Sequence, residues 1–162
     1  MKSATLIAAA SLIMIAPALG QDVPFAEPPA SQSGQFDASM LPSLGDIMVD
    51  TQVRHIKLWY AAKAGNWSLV SYELDRISES LRKAAILYRA IPIEYVTAMN
   101  KPLTDMRDAA ATKASDKFSH GYAAFTAGCN TCHMAGGVGF IHIQTPTSSP
   151  FTDEIYSKVG KP

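Results

Sequence analysis

The sequence predicts an all-α protein whose helices form an antiparallel four-helix bundle. Between residues 43 and 135, apolar residues recur three or four positions apart in successive segments, which is the spacing of one helix face. Short connections containing Gly, Asn or Pro separate these segments, and no strongly alternating strand pattern interrupts them. Four helices joined by short connections are typical of an antiparallel bundle.

The first predicted helix covers residues 43–64. Gly65 ends it, and Asn66 is a good N-cap for the second helix because its side chain can accept a hydrogen bond from a free backbone N–H group. The second helix continues until Pro92 stops it. The inward faces are Leu44, Met48, Thr51, His55, Trp59 and Ala62 in the first helix, and Val70, Leu74, Ile77, Leu81, Ala84 and Tyr88 in the second.

The third and fourth helices are predicted from the residues at their ends. Residues 93–100 form a turn or two, and Pro102 then begins a further segment in the first helical position. Ser115 is the predicted N-cap of the fourth helix, Asp116 lies at the positive end of its dipole, and Gly136 follows its end. The inward faces are Leu103, Met106 and Ala110 in the third helix, and Phe118, Tyr122, Phe125, Cys129 and Cys132 in the fourth.

The end of the fourth helix carries the motif Cys129-Asn130-Thr131-Cys132-His133, which has the form C-x-x-C-H. This is the attachment signature of a c-type haem. Two thiols three residues apart on a helix lie on one side of it, where they can form thioethers with the two vinyl groups of a porphyrin. The histidine that follows can bind the iron as the proximal ligand. We therefore predict one covalent haem c, held by Cys129, Cys132 and His133.

Other interpretations of the two cysteines are weaker. A disulfide oxidoreductase normally carries its C-x-x-C pair in a βαβ setting, and nothing in this sequence has that pattern. A zinc site needs four ligands, and the nearby supply is Cys129, Cys132, His133 and, with less support, His142. One haem would use both thiols and leave none for a structural disulfide.

The segments outside the bundle differ in composition. Lys2, the short apolar stretch 4–16 and the small residues before Gln21 have the form of a secretory signal peptide, too short to span a membrane. This signal predicts an exported, periplasmic protein. The predicted organisation is a signal peptide at 1–20, a flexible Pro- and Ser-rich leader at 21–42, the haem-binding bundle at 43–134 and a tail packing near the haem at 135–162.

The charge balance excludes the strongly basic surface of a nucleic-acid-binding protein. The chain has 14 Lys and Arg and 14 Asp and Glu, so its formal net charge is zero. Residues 21–53 hold five acidic residues and no basic one, which leaves the bundle mildly basic and able to attract an acidic redox partner. We expect a redox partner protein, no nucleic acid and no membrane span, and the chain could also form a homodimer.

These features resemble cytochrome c-prime and its low-spin relatives, periplasmic four-helix bundles with the haem motif near the end of the last helix. In that family the first helix places a Met or Leu over the distal haem face and a His or Asn about two turns later; Met48 and His55 match that pattern. The bend at Gly65 and Asn66 is also similar. This chain departs from the family because it continues for 29 residues after the motif, from Met134 to Pro162.

The antiparallel topology suggests the sixth iron ligand. The fourth helix ends beside the start of the first, so Met48 should lie over the haem. His142, in an apolar, strand-like tail after a glycine-rich hinge, is the rival. His55 lies about 10 Å further along the first helix and is either near the porphyrin edge or a hydrogen-bonded core histidine. The other side chains expected at the haem are Thr51, Gln52, Trp59 and Phe125.

Function depends on this coordination. A sixth ligand from Met48 or His142 predicts a low-spin monohaem electron carrier, which is the function we favour. An open sixth position would instead bind NO or CO in a pocket that includes Leu44, Thr51 and Gln52, for gas scavenging or sensing. A third alternative is an interaction protein with a structural haem. No acid–base pair or activated nucleophile stands out, so we do not expect an enzyme.

Overall fold

The structure is a computed structural model that describes residues 40–158. Within these residues it contains helices and no strand, so the prediction of an all-α protein is confirmed. The predicted signal peptide and residues 21–39 of the predicted leader lie outside the described residues. None of the described helices is both long and apolar enough to cross a bilayer. The helices are α1 (Leu44–Lys63), α2 (Trp67–Leu87), α3 (Ile93–Ala98), α4 (Asn100–Thr112) and α5 (Ser115–Ala135).

The two ends of α1 follow from local hydrogen bonding. The Ser43 hydroxyl accepts a hydrogen bond from the Asp46 N–H at 3.1 Å, and the Asp46 carboxylate accepts one from the Ser43 N–H at 3.0 Å. This capping box satisfies two backbone donors at once. At the other end, Gly65 has φ +68°, which glycine adopts easily. The Asn66 side chain accepts from the Leu69 N–H at 3.2 Å, so the predicted N-cap of α2 is confirmed.

Two predicted helix starts are wrong. Pro102 is the third residue of α4 rather than the first, because the chain becomes helical at Asn100. A proline is tolerated there since the first N–H groups of a helix have no partner within it. The N-cap of α5 is Ala114 rather than Ser115, without a side-chain cap. The preceding residue, Lys113, takes a left-handed conformation that closes α4.

The helices bury one shared core. Helix α1 packs along α2, α4 packs along α5, and α2 also contacts α4, whereas α1 and α5 meet over a shorter stretch. Met106, predicted on the inward face of the third helix, is buried, and so is Met99. The most deeply buried large side chains are Leu58, Val70, Leu74, Ile77, Met106, Phe118, Tyr122 and Phe125.

Helix α1 is rotated relative to the face predicted from the sequence. Its most buried apolar residues include Ile47, Leu58 and Ala61, which lie beside the predicted face. Met48 and Trp59 are only half-buried. The reason is that α1 packs mainly against α2, so the side that carries Met48 and Trp59 points towards the narrower contact with α5.

The tail after α5 has no regular secondary structure in its described part, residues 136–158, so the strand-like conformation expected around His142 is wrong. Gly137, with φ +74°, turns the chain back after the helix. The tail then returns to α1, where Lys57 forms a 2.8 Å ion pair with Glu154. The tail therefore connects the end of α5 with the side of α1.

Candidate functional site

Cys129 and Cys132 lie in the last turns of α5, three residues apart and on one side of the helix. Neither forms a disulfide. Cys129 packs against the core, and its burial, with a smaller effect of Cys132, raises the pKa of its thiol to about 12. Burial also raises the pKa of the more exposed Cys132. Both residues are therefore free, protonated thiols at neutral pH, one facing the core and the other at its edge.

His133 is held by the tail through one ring nitrogen. Its Nδ1 lies 2.7 Å from the backbone carbonyl oxygen of Ile141. A carbonyl oxygen can only accept, so Nδ1 must carry the proton and donate it. In the neutral imidazole Nε2 then has the free electron pair. Metal-binding histidines are commonly oriented by such a hydrogen bond from the nitrogen that does not bind the metal.

Asn130, inside the motif, fixes the same part of the tail. Its Oδ1 accepts a hydrogen bond from the Ile143 N–H at 2.8 Å, and its Nδ2 donates to the Ile143 carbonyl at 2.8 Å. The side-chain amide thus pairs with both backbone groups of one residue. The same Nδ2 lies 3.4 Å from Nε2 of His142, which places His142 beside the last turns of α5.

The contacts between α1 and α5 give the register of the two helices. His55 Nε2 lies 2.8 Å from the Thr126 hydroxyl, and the rings of Trp59 and Tyr122 are 4.9 Å apart. From His55 to Trp59 the residue number on α1 rises, whereas that of the contacting residue on α5 falls from Thr126 to Tyr122. The two helices therefore run in opposite directions. Continued along straight helices, this register would bring Met48, two turns before His55, level with His133.

Apolar side chains near the thiols remain partly exposed. At the opposite end of the core, Leu74, Phe118 and Tyr122 are fully buried. At the motif end, Cys129 stays only partly buried although it packs against the core. Leu44, Met48 and Cys132 are likewise partly exposed. An apolar macrocycle attached to the thiols would cover this surface, so the residues present fit a haem.

The described residues offer no alternative metal-ion site. No three His, Cys, Asp or Glu side chains among residues 40–158 are arranged to hold a metal ion. The zinc alternative therefore has no preformed set of ligands in this part of the chain. Haem iron is a different case, because four of its ligands come from the porphyrin and the protein supplies only the axial ones.

His55 lies in the core with both ring nitrogens in hydrogen bonds. Nδ1 is 2.9 Å from the Tyr122 hydroxyl and Nε2 is 2.8 Å from the Thr126 hydroxyl. The Thr126 hydroxyl also lies 2.9 Å from the Tyr122 carbonyl, to which it can donate. A neutral His55 protonated on Nε2 satisfies all these bonds at once. The geometry is that of a hydrogen-bonded core histidine.

Of the other four side chains predicted to contact the haem, two are buried in the core and two reach the surface. Thr51 is buried and its hydroxyl donates to the Ile47 carbonyl at 2.7 Å, within α1. Phe125 is fully buried. Trp59 is half-buried, with Lys63 Nζ 5.9 Å from its ring. Gln52 is exposed. The structure thus does not gather all four side chains at one place.

The surface has a recess beside α1 and the tail and a groove between α2, α3 and α4. A recess of about 260 Å³ is lined by Gln52, His55 and Ile56 of α1 and by part of the tail that includes His142. It is smaller than the roughly 300–1,000 Å³ of typical small-molecule sites. A groove of about 780 Å³ between α2, α3 and α4 includes no residue of the C-x-x-C-H motif in its lining.

Several residues at the site were not predicted from the sequence. The Ile141 carbonyl is a backbone group, and its use by His133 has no signature in residue type. Asn130 occupies a variable position of the motif. Tyr122 and Thr126 were one turn apart on the inward side of α5, and a polar pair there could have suggested partners for His55.

His55 should make the stability of the fold depend on pH. Burial lowers the pKa of His55 to about 4, below its usual value of 6.5, so the unfolded chain binds more protons than the folded one between these values. Stability should therefore fall as the pH falls from about 7 to 4, by about 3 kcal/mol from this residue alone.

The measurement is urea unfolding of the wild type and of His55→Asn at several pH values in this range. The stability advantage of the wild type should shrink on acidification by about that amount. His120→Asn, at an exposed position of α5, is the matched control. An advantage of the wild type that does not change with pH would contradict a buried, neutral His55.

Comparison with known proteins adds no assignment. No family model, no curated protein and no solved structure matched this chain. The functional interpretation therefore depends on the motif, on the hydrogen bonds around it and on the register of α1 and α5.

Proposed function

We propose that this protein is an exported c-type cytochrome with one covalent haem, an antiparallel four-helix bundle that carries single electrons to or from a partner protein. One observation carries the proposal: the C-x-x-C-H motif lies at the end of α5 with two free thiols on one side and with Nδ1 of His133 already engaged. This leaves Nε2 of His133 as the nitrogen that would bind iron.

Each residue of the site has a defined role in this proposal. Cys129 and Cys132 would hold the porphyrin by thioethers, and His133 would be the proximal ligand. Bound haem would supply an iron that changes by one electron between its ferric and ferrous states. The apolar side chains at the motif end would exclude water from one side of the macrocycle. Limited access of water to the haem and fixed axial ligands to the iron would keep the structural change during electron transfer small.

We propose Met48 as the sixth ligand, with His142 as the rival. Continued from the contacts at His55 and Trp59, the α1–α5 register would bring Met48 level with His133, where a side chain could approach the opposite side of a haem. His142 follows Ile141, whose carbonyl contacts Nδ1 of His133. Nδ1 and Nε2 lie on different sides of the imidazole ring, so this carbonyl lies on the side away from a haem bound at Nε2. His142 itself lines the recess that Gln52 and His55 of α1 also line, and it therefore stays the rival for the sixth position.

The predicted export signal agrees with the proposal, because haem is attached covalently outside the cytoplasm in bacteria. We propose a periplasmic location and an unidentified redox partner. The exposed apolar side chains Met134 and Phe140 lie near the motif. Apolar surface close to a haem edge is compatible with brief docking of such a partner.

Haem analysis of the exported protein tests the proposal directly. With its signal peptide and cytochrome maturation machinery present, the wild type should retain haem after denaturation and give a pyridine haemochrome spectrum typical of two thioethers. Cys132→Ala should lose covalent attachment or shift the spectrum towards one thioether. Thr131→Ala, at an exposed position inside the motif, should keep both bonds. A wild type that binds zinc stoichiometrically and no haem would refute the proposal.

A further inference from the structure

We infer that Asn130 is a positioning residue for the proximal side of the haem: by pairing with the backbone of Ile143, it holds the Ile141 carbonyl against Nδ1 of His133. This inference rests on the proposed function and deepens it. It assigns a role to a variable position of the motif, and it makes the tail the source of the carbonyl that accepts a hydrogen bond from the proximal histidine.

The hydrogen bonds form a continuous path from the helix to the tail and back. Asn130 makes two bonds of 2.8 Å to the N–H and carbonyl groups of Ile143. Two residues earlier, the Ile141 carbonyl accepts from His133 at 2.7 Å. Asn130 and His133 are three residues apart on α5, so the helix holds one end of this path rigid.

Asn130 is suited to this task by its chemistry. Its amide offers one acceptor and two donor protons, and it can therefore match both backbone groups of one residue that has no partner strand. The residues around Ile143 have no regular secondary structure and gain no ladder of their own. Thr131, the other variable position, makes no hydrogen bond to residues 136–158, the described part of the tail; its hydroxyl donates to the Ala127 carbonyl within α5 at 3.1 Å.

The consequence concerns the electron density on the iron. A hydrogen bond from Nδ1 to a carbonyl makes the imidazole a stronger electron donor through Nε2. A stronger donor stabilises the ferric state and lowers the reduction potential, since hydrogen bonding behind the axial ligand is one way in which proteins tune haem. Without Asn130, the Ile141 carbonyl is restrained only through the turn before it, in which the Ile141 N–H donates to the Val138 carbonyl at 2.8 Å and the Val138 N–H donates to the His133 carbonyl at 2.9 Å. Its bond to Nδ1 of His133 should then weaken, and the potential should rise.

The test uses the haem-loaded full-length protein and three variants. Asn130→Ala removes both bonds to Ile143, Ile143→Pro removes the N–H donor while leaving the motif intact, and Thr131→Ala is the matched control. Spectroelectrochemical titration should give a more positive potential for the first two variants and an unchanged one for the control. Amide hydrogen exchange of the wild type should show protection at the Ile143 N–H, and Asn130→Ala should lose it.

The outcomes separate this inference from the proposed function. A wild type without haem overturns the proposed function before any variant is compared. A wild type with haem whose potential is unchanged in both tail variants overturns the role of Asn130 alone. If Asn130→Ala fails to mature, Ile143→Pro decides, because its C-x-x-C-H residues are all native. A potential shift as large in Thr131→Ala would also overturn the inference, since that residue does not hold the tail.

Discussion

Replacing both Cys129 and Cys132 by alanine should leave a chain that is helical but loosely packed. We expect a strong far-UV circular dichroism signal, a weak near-UV signal and increased binding of a hydrophobic dye, the set of properties that defines a molten globule. The loss of ordered packing should be much larger than the changed volume of two side chains alone would cause, because the variant also loses the haem.

The reason is that side chains at the two ends of the core are buried to different extents. Side chains such as Leu74, Phe118 and Tyr122 are fully buried, whereas Leu44 and Met48 in the first turns of α1 and the two cysteines themselves remain partly exposed. Burial of apolar area stabilises a fold by about 25 cal/mol for each Å², and area that stays in water lacks this stabilisation. The motif end of the core should therefore lose its order first, and hydrogen exchange should be fastest there.

A second preparation controls for the substitutions themselves. Wild-type chain made without cytochrome maturation machinery keeps both thiols and lacks the covalent haem, and it should show the same loose packing as the double variant. Wild type with haem should unfold in one cooperative transition. A native-like near-UV spectrum and a cooperative melt of the double variant would show that the core is complete without a bound group.

The sequence predicted the helical elements well where local chemistry determines them. Asn66 caps α2, and Gly136 follows the end of α5 as expected, because these residue types have strong preferences at helix ends. The starts at Pro102 and Ser115 were wrong by two residues and by one. There, the turn closed by Lys113 and the packing of α4 against α5 fix the boundary, and residue type alone does not.

The candidate site was predicted only in part. Local sequence defines the C-x-x-C-H motif, and the expected antiparallel topology predicts that Met48 lies near it. The support behind His133 depends on a carbonyl eight residues later, whose position follows from the turn at Gly137 and from Asn130. His55 gave an ambiguous signal, since a histidine on an inward face can be a ligand or a core residue. Its two hydrogen bonds across the α1–α5 contact could not be read from spacing.

Met48→Ala should change the iron from six-coordinate low spin to high spin. The register of α1 and α5, continued two turns beyond His55, would bring Met48 level with His133, and its side chain is half-buried. A thioether ligand on ferric haem gives a weak long-wavelength charge-transfer band. Removal of Met48 should abolish that band, raise the ferric electron paramagnetic resonance signal of high-spin iron and allow CO to bind the ferrous protein.

Two variants serve as controls for this prediction. Met134→Ala removes an exposed methionine next to His133, and it should leave the band and the spin state unchanged. His142→Ala tests the rival ligand on the tail. If His142→Ala converts the iron to high spin and Met48→Ala does not, the tail reaches the distal side and the placement argued from the α1–α5 register is wrong.

The fold of Met48→Ala should survive, since Cys129, Cys132 and His133 still hold the haem on α5. The substitution removes a side chain that is only half-buried, so its cost should lie at or below the low end of the roughly 2–5 kcal/mol seen for Met→Ala in closed cores. The spin state of the wild type then decides between the two functions. A low-spin wild type that excludes CO supports electron transfer, because fixed axial ligands keep the redox change small. A high-spin wild type that binds CO would instead favour a sensor or scavenger of small gases, with Met48 lining an open distal pocket.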